Sequence, residues 1–488
     1  MANLTKNDIR SVIEIIKELY LEDMIPWICG YSGGKDSTAV VQLVWYALME
    51  LPKEKLKKTV HVISTDTLVE SPVVAIWSSQ SLEKMKSRAC EQGLPIIPHK
   101  LTPVISNTFW VNLIGRGYPY PRRDFRWCTD RLKIDASNRF IKTVLDAESE
   151  AILVLGSRKA ESAVRKLVLE GYEKKRYRAH LSPNGSFPNS YVFTPIEDWL
   201  NDNVWQYLVQ VENPWGHSNK DLLAMYSGAS ADGECPLVID SSTPSCGNSR
   251  FGCWVCTMVT EDKSMAAMIQ NDEEKSWMLP MLDFRNEIAA DWQTDRERRD
   301  FRRKDGRLTW HNDRLVHGPY TKEARQYFLR RLLEVEKLIH EIGPEEIRGI
   351  PLITQEELSL IRQIWLDEKH EFEDSLPHIY EEVTGKPYED GLISKNKYFG
   401  ASEAALLNTV CKDIFPKEQL LAEMQCALLD TEAKAAAITN KRNVILNFEK
   451  EIKKAFYRDE EEAELIAKGR ARRSSELMEE ADADYFVE

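Results

Sequence analysis

The stretch CGYSGGKDSTAVVQL, residues 29–43, sets the expected fold of the first part of the chain. It follows a short apolar run that ends at Ile28, and it continues into apolar residues at helical spacing. This order predicts a strand, a loop and a helix. The paired glycines let the backbone approach an oxygen-rich ligand, and the start of a helix attracts anions through its unpaired N–H groups and its dipole. The general phosphate loop, with four residues between its glycines, is absent, so an ordinary kinase or GTPase loop is not supported.

Short apolar runs alternate with helical patterns from residue 25 to residue 157, which is typical of a mostly parallel sheet covered by helices. The strand candidates are IPWICGY (residues 25–31), TVHVIST (59–65), LPIIPHKL (94–101) and AILVLGS (151–157). Residues 180–190 are rich in turn formers and are expected to form a loop. Beyond residue 260 the pattern is overwhelmingly helical. We therefore expect an α/β domain over residues 1–227, a cysteine-rich segment over 228–260 and a mostly α-helical domain over 261–488.

Composition limits the partners and the compartment. The net charge of -13 argues against a protein that coats nucleic acid by itself, because affinity for a phosphate backbone comes mostly from released counterions. The longest apolar runs fall well short of the roughly 20 residues that a membrane span needs, and the first residues form an amphipathic pattern rather than a leader. We expect a cytoplasmic protein with no membrane partner.

Four of the nine cysteines fall in one segment, with the spacing C-x10-C-x6-C-x2-C. They are Cys235, Cys246, Cys253 and Cys256. Two thiolates in a C-x2-C pair can bind one metal centre. The loops before this pair are short enough to bring the other two cysteines to the same centre, so a four-thiolate metal site is expected. Structural zinc and a 4Fe-4S cluster both fit such a donor set. Because zinc sites prefer two closely spaced pairs and only one pair is close here, we favour the 4Fe-4S cluster and keep zinc as the alternative.

Another cysteine, Cys128, lies in the basic stretch YPRRDFRWCTDRLKIDAS, residues 120–137. The basic residues around it are Arg122, Arg123, Arg126, Arg131 and Lys133. Such surroundings stabilise a thiolate if the cysteine is exposed, which predicts a persulfide carrier or an attacking thiol. The alternative is a small buried residue with no chemical role.

The string SGGKDS closely resembles the pyrophosphate loop of the adenine-nucleotide α-hydrolases, the PP-loop superfamily with its HUP-like parallel sheet. That superfamily includes phosphoadenylylsulfate (PAPS) reductases, ATP sulfurylases and RNA thiolation enzymes. The resemblance implies that ATP, with Mg²⁺, is cut between its α and β phosphates. The binding residues implied in the loop are Ser32, Gly33, Gly34, Lys35, Asp36 and Ser37.

Three later stretches extend this resemblance. Asp66 and Thr67, in STDTLVESP, resemble the superfamily segment beside the adenosine and phosphates, although an Asx turn would also explain the aspartate. The element GSRKAESAVR, residues 156–165, resembles that of the reductases and implies ligand contacts from Gly156 and an oxyanion clamp from Arg158 and Arg165. A surface ladder of salt bridges is the alternative for the two arginines. Residues 194–208 resemble a helix of the same enzymes.

The joint order of these motifs and the cysteine segment resembles the DndC family, the sulfurtransferase-like subunits of bacterial DNA phosphorothioation systems. This resemblance implies that ATP adenylates a DNA backbone phosphate oxygen, which sulfur then replaces, in a restriction-like antiphage defence. It also implies a cysteine desulfurase as sulfur donor and further subunits of the DndD and DndE type as partners. The catalytic residues implied are Lys35, Asp36, Cys128, Arg158 and Arg165.

Other interpretations stay open at this point. A phosphoadenylylsulfate or adenylylsulfate reductase, an RNA thiolation enzyme, a related subunit that modifies single strands, and an inactive nucleotide-binding scaffold are the alternatives. The densest basic stretch, residues 285–314, lies near Trp292 and Trp310. It would track a DNA backbone, or else its arginines would pair with the Asp and Glu residues that alternate with them.

Overall fold

The computed structural model describes residues 4–229, 252–389, 399–418, 420–436 and 443–485. They pack as two compact units. The first unit comprises the residues up to Val104, Pro121–Arg285 and Ile342–Ile350, and the second comprises Ile105–Tyr120, Asn286–Glu341 and the residues from Pro351 onward. The division into residues 1–227, 228–260 and 261–488 stays a prediction.

The first unit is built on a sheet whose described part has six strands in the order β3-β2-β1-β4-β6-β5. The strands are β1 Trp27–Gly30, β2 Val60–Thr65, β3 Ile96–Leu101, β4 Ala151–Val154, β5 Ser182–Pro183 and β6 Ser190–Phe193. All neighbours pair in parallel except β5 against β6. The central strand β1 aligns Trp27 with Val60 on one side and with Ile152 on the other. The predicted parallel α/β fold is confirmed.

Helices cover this sheet. They are α1 Lys6–Glu22, α2 Lys35–Met49, α3 Pro72–Gln92, α4 Asp135–Glu148, α5 Ala163–Glu173, α6 Asn201–Gln210, α7 Asn219–Gly228 and α8 Lys263–Asn271, and α9 Leu279–Ile288 begins in this unit. Helix α2 is buried along almost its whole length, which explains why its sequence is apolar on every side. It packs against α1 and α6. This burial fixes the loop that precedes α2 against the sheet.

The second unit is mostly helical, as the sequence predicted. Its helices are α10 Trp292–Glu297, α11 Lys322–Ile342, α12 Gln355–Asp367, α13 Ser375–Thr384, α14 Ala401–Ile414, α15 Leu421–Ala436, α16 Val444–Lys454 and α17 Glu460–Tyr485, with a small hairpin of β7 Trp310–His311 and β8 Arg314–Leu315. Two indole groups bind its segments together. Trp110 Nε1 donates to the Leu352 carbonyl over 2.7 Å, and Trp365 Nε1 donates to the Ile114 carbonyl over 3.0 Å.

The four strands predicted from apolar runs are all present, and the structure differs from expectation after β4. Residues 180–190, expected to form a loop, contain the two-residue strand β5, and β6 begins at Ser190. Strand β5 has only two residues and β6 only four, so neither stands out in the sequence, and β6 is held by its pairing with the distant β4. The helix expected over residues 194–208 begins only at Asn201, because Thr194 and Glu197 form a turn instead. In the described part of the chain, no helix has both the length and the apolar character needed to cross a membrane.

Candidate functional site

The loop between β1 and α2 takes its shape from two glycines. Gly33 has φ +75°, a left-handed conformation that L side chains rarely adopt, and its carbonyl accepts from Trp77 Nε1 over 3.2 Å. Gly34 is the N-cap of α2, and a Cβ there would lie 3.0 Å from the Tyr226 hydroxyl. Because the first amides of a helix have no intrahelical partner, the loop presents N–H groups to an anion. The positive φ at Gly33 favours glycine there, and a side chain at Gly34 would press on the Tyr226 hydroxyl.

The two serines of the loop organise it from within. Ser37 Oγ donates to the Gly34 carbonyl over 3.0 Å and accepts from the Ser32 amide over 3.1 Å. The single hydroxyl proton of Ser37 is thereby used in the loop itself. The Ser37 hydroxyl therefore stabilises the loop, and its implied role as a binding residue stays a prediction. Ser32, by contrast, lies in the wall of the adjoining pocket.

Charged side chains beside the loop form a chain of two ion pairs. Lys35 Nζ lies 3.1 Å from Asp36 Oδ2, and Arg158 Nε donates to Asp36 Oδ1 over 2.6 Å. Arg158 is only 3% exposed and also donates to the Trp199 carbonyl over 3.3 Å. Its guanidinium thus holds Asp36 in this structure, and its role as an oxyanion clamp stays a prediction. One positive charge remains in excess at the start of α2, where it favours an anion.

Gly156, which follows β4, allows the end of that strand to meet the start of α2. A Cβ at Gly156 would lie 2.9 Å from the backbone carbon and oxygen of Asp36. Such contacts are shorter than real Cβ atoms show, so any larger residue would push strand and helix apart. The position predicted to contact a ligand is therefore explained by close packing of the backbone.

A pocket opens at the carboxyl ends of β1, β2 and β3, where ligands bind in open α/β sheets. Residues from the loop, the segment after β2, helix α3 and helix α7 line it. The lining residues are Ser32, Gly33, Gly34, Ser64, Thr65, Asp66, Glu70, Val74, Ala75, Ser78, Ser79, Leu82, Lys100, Lys133, Met225 and Tyr226. Of the residues predicted from sequence, Ser32, Gly33, Gly34 and Asp66 are thus brought together. The pocket combines an anion-attracting loop with an apolar wall from α3.

Asp66 has a structural role as well as a place in the pocket wall. Its carboxylate accepts from the Leu68 amide over 2.8 Å, which is the Asx turn considered as an alternative. Its other oxygen lies 2.9 Å from Lys100 Nζ. Thr67 is fully buried and donates to Glu70 Oε1 over 3.0 Å. Asp66 is therefore placed to meet a ligand, whereas Thr67 supports the wall from behind.

The cysteine segment joins the pocket through Glu70. Residues 252–254 pair with the segment after β2: Glu70 and Cys253 form an isolated antiparallel bridge, and the Trp254 amide donates to the Val69 carbonyl over 3.0 Å. The Cys253 thiol lies 3.8 Å from Glu70 Oε1 and 3.2 Å from Thr67 Oγ1. A cysteine that is 183 residues away in sequence is thus hydrogen-bonded to the pocket wall.

Lys133 completes this wall on the side of the basic stretch. Its amine lies 3.3 Å from Glu70 Oε1. Burial acts to lower the pKa of Lys133, but the charges of Cys253 and Glu70 outweigh burial and raise that pKa above its usual value. Burial and the Glu70 carboxylate raise the pKa of the Cys253 thiol, while Lys133 opposes them. The lysine therefore stays charged and compensates the carboxylate.

Cys128 lies just before a π-helical turn, Thr129–Ile134, and is partly buried. Burial raises the pKa of its thiol, and the charge of Cys256 raises it further. The thiolate was expected to be stabilised only if Cys128 were exposed; in this structure it is partly buried and burial has the largest effect on its pKa, so its role as a sulfur carrier stays a prediction. Thr257 Oγ1 donates to the Pro121 carbonyl over 2.7 Å, which fixes the cysteine segment beside the stretch that carries Cys128.

The metal site predicted from four cysteines is only half described. Cys235 and Cys246 lie outside the described residues. Cys253 and Cys256 sit in one turn, closed by a 3.0 Å hydrogen bond from the Cys256 amide to the Cys253 carbonyl. The buried Arg285 holds that turn by donating to the Cys256 carbonyl. Among the described residues no group of three or more His, Cys, Asp or Glu side chains is placed to hold a metal ion. The turn fits two thiolate ligands of one centre, and the other two remain predictions.

Arg165, the second arginine predicted to clamp an oxyanion, lies on the first turn of α5. Ser162 caps that helix and accepts from the Arg165 amide over 3.1 Å. The guanidinium is about half exposed and pairs with Glu161 over 3.3 Å. In the described structure Arg165 does not line the pocket, so the alternative of a surface salt bridge describes its contacts.

Four of the eight arginines of residues 285–314 form ion pairs with acidic side chains, three of them with aspartates of the same stretch. Such pairs join Arg299 to Asp295 (3.1 Å), Arg302 to Asp300 (2.6 Å), Arg307 to Asp305 (2.5 Å) and Arg296 to Glu460 (2.8 Å). These contacts agree with the alternative of arginines paired to acidic neighbours. Trp292 is partly exposed and stacks under Arg314, whose guanidinium lies 4.5 Å from the ring centroid.

Sequence reasoning missed several residues of the pocket. Tyr226 lies in helix α7, where its hydroxyl accepts from the Lys35 amide over 3.4 Å and its ring lies under the Lys35 amine. Glu70 lies in the STDTLVESP stretch without a predicted role, Lys133 was expected only to stabilise the Cys128 thiolate, and Lys100 is near the end of β3. Only the position of Lys100 at a strand end, on the sheet edge that was expected to bind ligands, offered a signal for any of them.

Comparisons with known proteins agree with the fold of the first unit. Residues 26–217 match the phosphoadenosine phosphosulfate reductase domain. An uncharacterized protein of Methanocaldococcus jannaschii is 27% identical over 210 residues, which are 42% of this chain and 36% of that protein. The chain thus spans about a third of the length of that curated relative.

Solved structures with some likeness have low overall similarity. A phosphoadenylyl-sulfate reductase from Candida auris is 12% identical to this chain and has a TM-score of 0.25. The alignment covers 43% of this chain and 88% of the reductase. The U34-tRNA thiolase NcsA from Methanococcus maripaludis, solved with its 4Fe-4S cluster, is 13% identical to this chain and has a TM-score of 0.27. The alignment covers 59% of this chain and 79% of the thiolase. The segment that matches the phosphoadenosine phosphosulfate reductase domain, residues 26–217, contains all six described strands of the mostly parallel sheet.

Proposed function

We propose that this protein is an ATP-dependent sulfurtransferase that adenylates a DNA backbone phosphate oxygen so that sulfur can replace it. The observation that carries this proposal is the wall shared by the nucleotide pocket and the cysteine segment. Glu70 lines the pocket beside the glycine loop, and the Cys253 thiol lies 3.8 Å from its carboxylate. A bound nucleotide and a sulfur-bearing segment would thus be neighbours.

The loop suits the first step. The phosphate oxygen of DNA forms a bond to the α-phosphorus of ATP, and pyrophosphate leaves. The amides at the start of α2 and the Lys35 amine would bind the leaving pyrophosphate, and the bound Mg²⁺ of ATP would share its charge. Arg158 and Asp36 keep Lys35 in place through their ion pairs. These groups stabilise charge that develops on the leaving group.

The second step is attack of a sulfur nucleophile on the DNA phosphorus, with AMP leaving together with the original oxygen. A cysteine desulfurase would supply the sulfur as the outer atom of a persulfide on Cys128, our candidate carrier beside the cysteine segment. After the outer sulfur has attacked phosphorus, a dithiol reductant would break its S–S bond to Cys128, which leaves the phosphorothioate on DNA, restores the Cys128 thiol and oxidises the reductant to a disulfide. Other phosphorothioation subunits would present the DNA. Cys253 and Cys256, with Cys235 and Cys246, would hold a 4Fe-4S cluster, which supplies thiolate-ligated iron next to the nucleotide pocket.

The test measures pyrophosphate release and DNA modification for matched variants. Lys35→Ala is expected to abolish pyrophosphate release from ATP in the presence of DNA and partners, whereas Lys57→Ala, an exposed lysine of the same unit, keeps it. Mass spectrometry of digested DNA from cells with Lys35→Ala or Cys128→Ser should lack phosphorothioate dinucleotides. Unchanged dinucleotides in both variants would contradict the proposal, and no pyrophosphate release by the wild type would favour the scaffold alternative.

Iron analysis tests the proposed cluster separately. Protein purified without oxygen is expected to contain iron and acid-labile sulfide, and Cys253→Ser is expected to lose them while Cys90→Ser, at an exposed cysteine, keeps them. Stoichiometric zinc without visible absorbance would replace the cluster by the zinc alternative. Neither result depends on activity of the protein.

A second candidate function is reduction of a sulfonucleotide, because residues 26–217 match the phosphoadenosine phosphosulfate reductase domain. Such an enzyme would bind the sulfonucleotide in the same pocket and release sulfite at the expense of a thiol reductant, with no need for DNA or ATP. Sulfite production from phosphoadenylylsulfate or adenylylsulfate by the purified protein would favour this function. Pyrophosphate release that depends on DNA would favour the first.

A further inference from the structure

The second unit contains a pocket of its own, whose binding chemistry does not depend on the proposed function. It lies between residues 300–306, the residues that follow α12, and the helices α15 and α16. All of these segments belong to the second unit. Their side chains are mostly charged, so the balance of charge decides what the pocket can hold.

Part of that charge is neutralised within the wall. Arg302 is buried, and its guanidinium lies 2.6 Å from Asp300 and 2.9 Å from Glu423 while also donating to the Lys454 carbonyl over 3.0 Å. Lys454 Nζ lies 2.7 Å from Glu451. These contacts use the carboxylates of three different segments, so they stabilise the pocket rather than leaving acidic groups free.

Three cations of the lining remain without a carboxylate within ion-pair distance in the described residues. They are Arg303, Lys304 and Lys369. Arg303 donates one hydrogen bond, of 3.3 Å, to the His317 carbonyl, which leaves other N–H groups of its fork for a ligand. Against these cations stands the lining carboxylate of Glu368. The pocket therefore has an excess of positive charge.

Lys369 is the group in this pocket that most needs an anion. The nearby carboxylates of Glu371 and Asp300 already pair with Arg325 and Arg302. Burial, together with the charges of Arg325 and Lys304, lowers the pKa of Lys369 to about 8, and Glu371 and Asp300 only partly oppose that shift. An anion beside the amine would remove the cost of crowding several cations together.

We propose that this pocket binds a phosphate-type oxyanion, held by Arg303, Lys304 and Lys369. A guanidinium fork presents two parallel N–H groups that match two oxygens of a tetrahedral anion, and ammonium groups add point charges from other sides. Convergence of three cations from two separate segments suits a group with more than one negative charge. The oxyanion is a free phosphate or pyrophosphate, or a phosphate of a nucleic-acid backbone.

Competitive amine labelling of the full-length protein tests the site directly. Peptide mass spectrometry gives the labelling rate of Lys369 from pH 6.5 to 10. We expect a midpoint near 8 without anion and a rise of roughly one pH unit with saturating anion, since an anion favours the charged amine. The probes are inorganic phosphate, pyrophosphate, and a single-stranded and a double-stranded oligonucleotide, each at ionic strength matched with sodium chloride.

The outcomes separate the sources of the oxyanion. Protection of Lys369 by phosphate or pyrophosphate alone assigns a free-anion site, and protection by an oligonucleotide alone assigns a backbone contact. Arg303→Gln should weaken protection severalfold, while Lys453→Met, an exposed lysine on α16, should leave it unchanged. If no probe slows labelling of wild-type Lys369 or moves its midpoint, the proposal is wrong, whatever the variants do.

Discussion

Replacement of Arg158 tests whether this arginine holds the loop or clamps a ligand. Arg158→Met removes the guanidinium that lies 2.6 Å from Asp36 and leaves a carboxylate that is about one quarter exposed. Breaking a fully buried pair costs about 3–5 kcal/mol. Because Asp36 is partly exposed and keeps Lys35 at 3.1 Å, we expect a loss of about 2 kcal/mol in the free energy of unfolding, after discounting for solvent screening.

Arg165→Met is the matched control, since both arginines were predicted to clamp an oxyanion. Arg165 is about half exposed, and among the described residues it pairs with Glu161, four positions earlier in the chain, so its loss should cost about 0–1 kcal/mol. Urea denaturation followed by circular dichroism measures both effects. Adding Asp36→Asn to Arg158→Met should recover about 1 kcal/mol, because the carboxylate that lost its buried guanidinium partner is gone. Equal costs for the two arginine variants, or no recovery in the double variant, would refute the reasoning.

Three further perturbations follow from the geometry. Gly33→Ala forces a Cβ onto φ +75° and should cost about 1–2 kcal/mol, with weaker ATP binding in calorimetry; an unchanged affinity would contradict the loop geometry. Glu70→Ala removes the carboxylate beside the Cys253 thiol. In metal-free protein it should speed alkylation of Cys253 relative to alkylation of the exposed Cys90, and peptide mass spectrometry measures both rates. Burial, and to a smaller extent the charge of His99, lowers the pKa of His61 to about 4. The unfolded chain therefore binds more protons than the folded chain between pH 6.5 and 4. The free energy of unfolding should therefore fall as pH drops through that window, and His61→Phe should flatten the slope in urea titrations while His311→Gln does not.

The sheet could be predicted because its signals are local. Apolar runs such as that around Ile28 are long enough to mark buried strands, and the glycine pair at Gly33 and Gly34 marks the turn into α2. The edge where ligands gather follows from parallel topology alone. Strands as short as β5 escape such analysis, since their formation depends on pairing with distant partners.

The site was predicted less completely because its contacts join distant segments. Nothing local in the sequence says that Tyr226 accepts from the Lys35 amide, or that Cys253 pairs with Glu70. Arg158 was recognised as important, but its partner Asp36 emerges only once β4 lies beside α2. The pKa of the Cys128 thiol could not be predicted from sequence, because the sequence shows the charged residues near a thiol but not its burial, which is the largest cause of the raised pKa.

The bridge between Glu70 and Cys253 joins the segment that carries the thiols to the wall of the pocket. If a nucleotide bound in the pocket changes the affinity of the cysteine segment for a metal by some factor, then metal loading must change nucleotide affinity by the same factor. The shared backbone is the place where such a coupling would act. Titration of nucleotide into metal-loaded and metal-free protein would measure that coupling free energy.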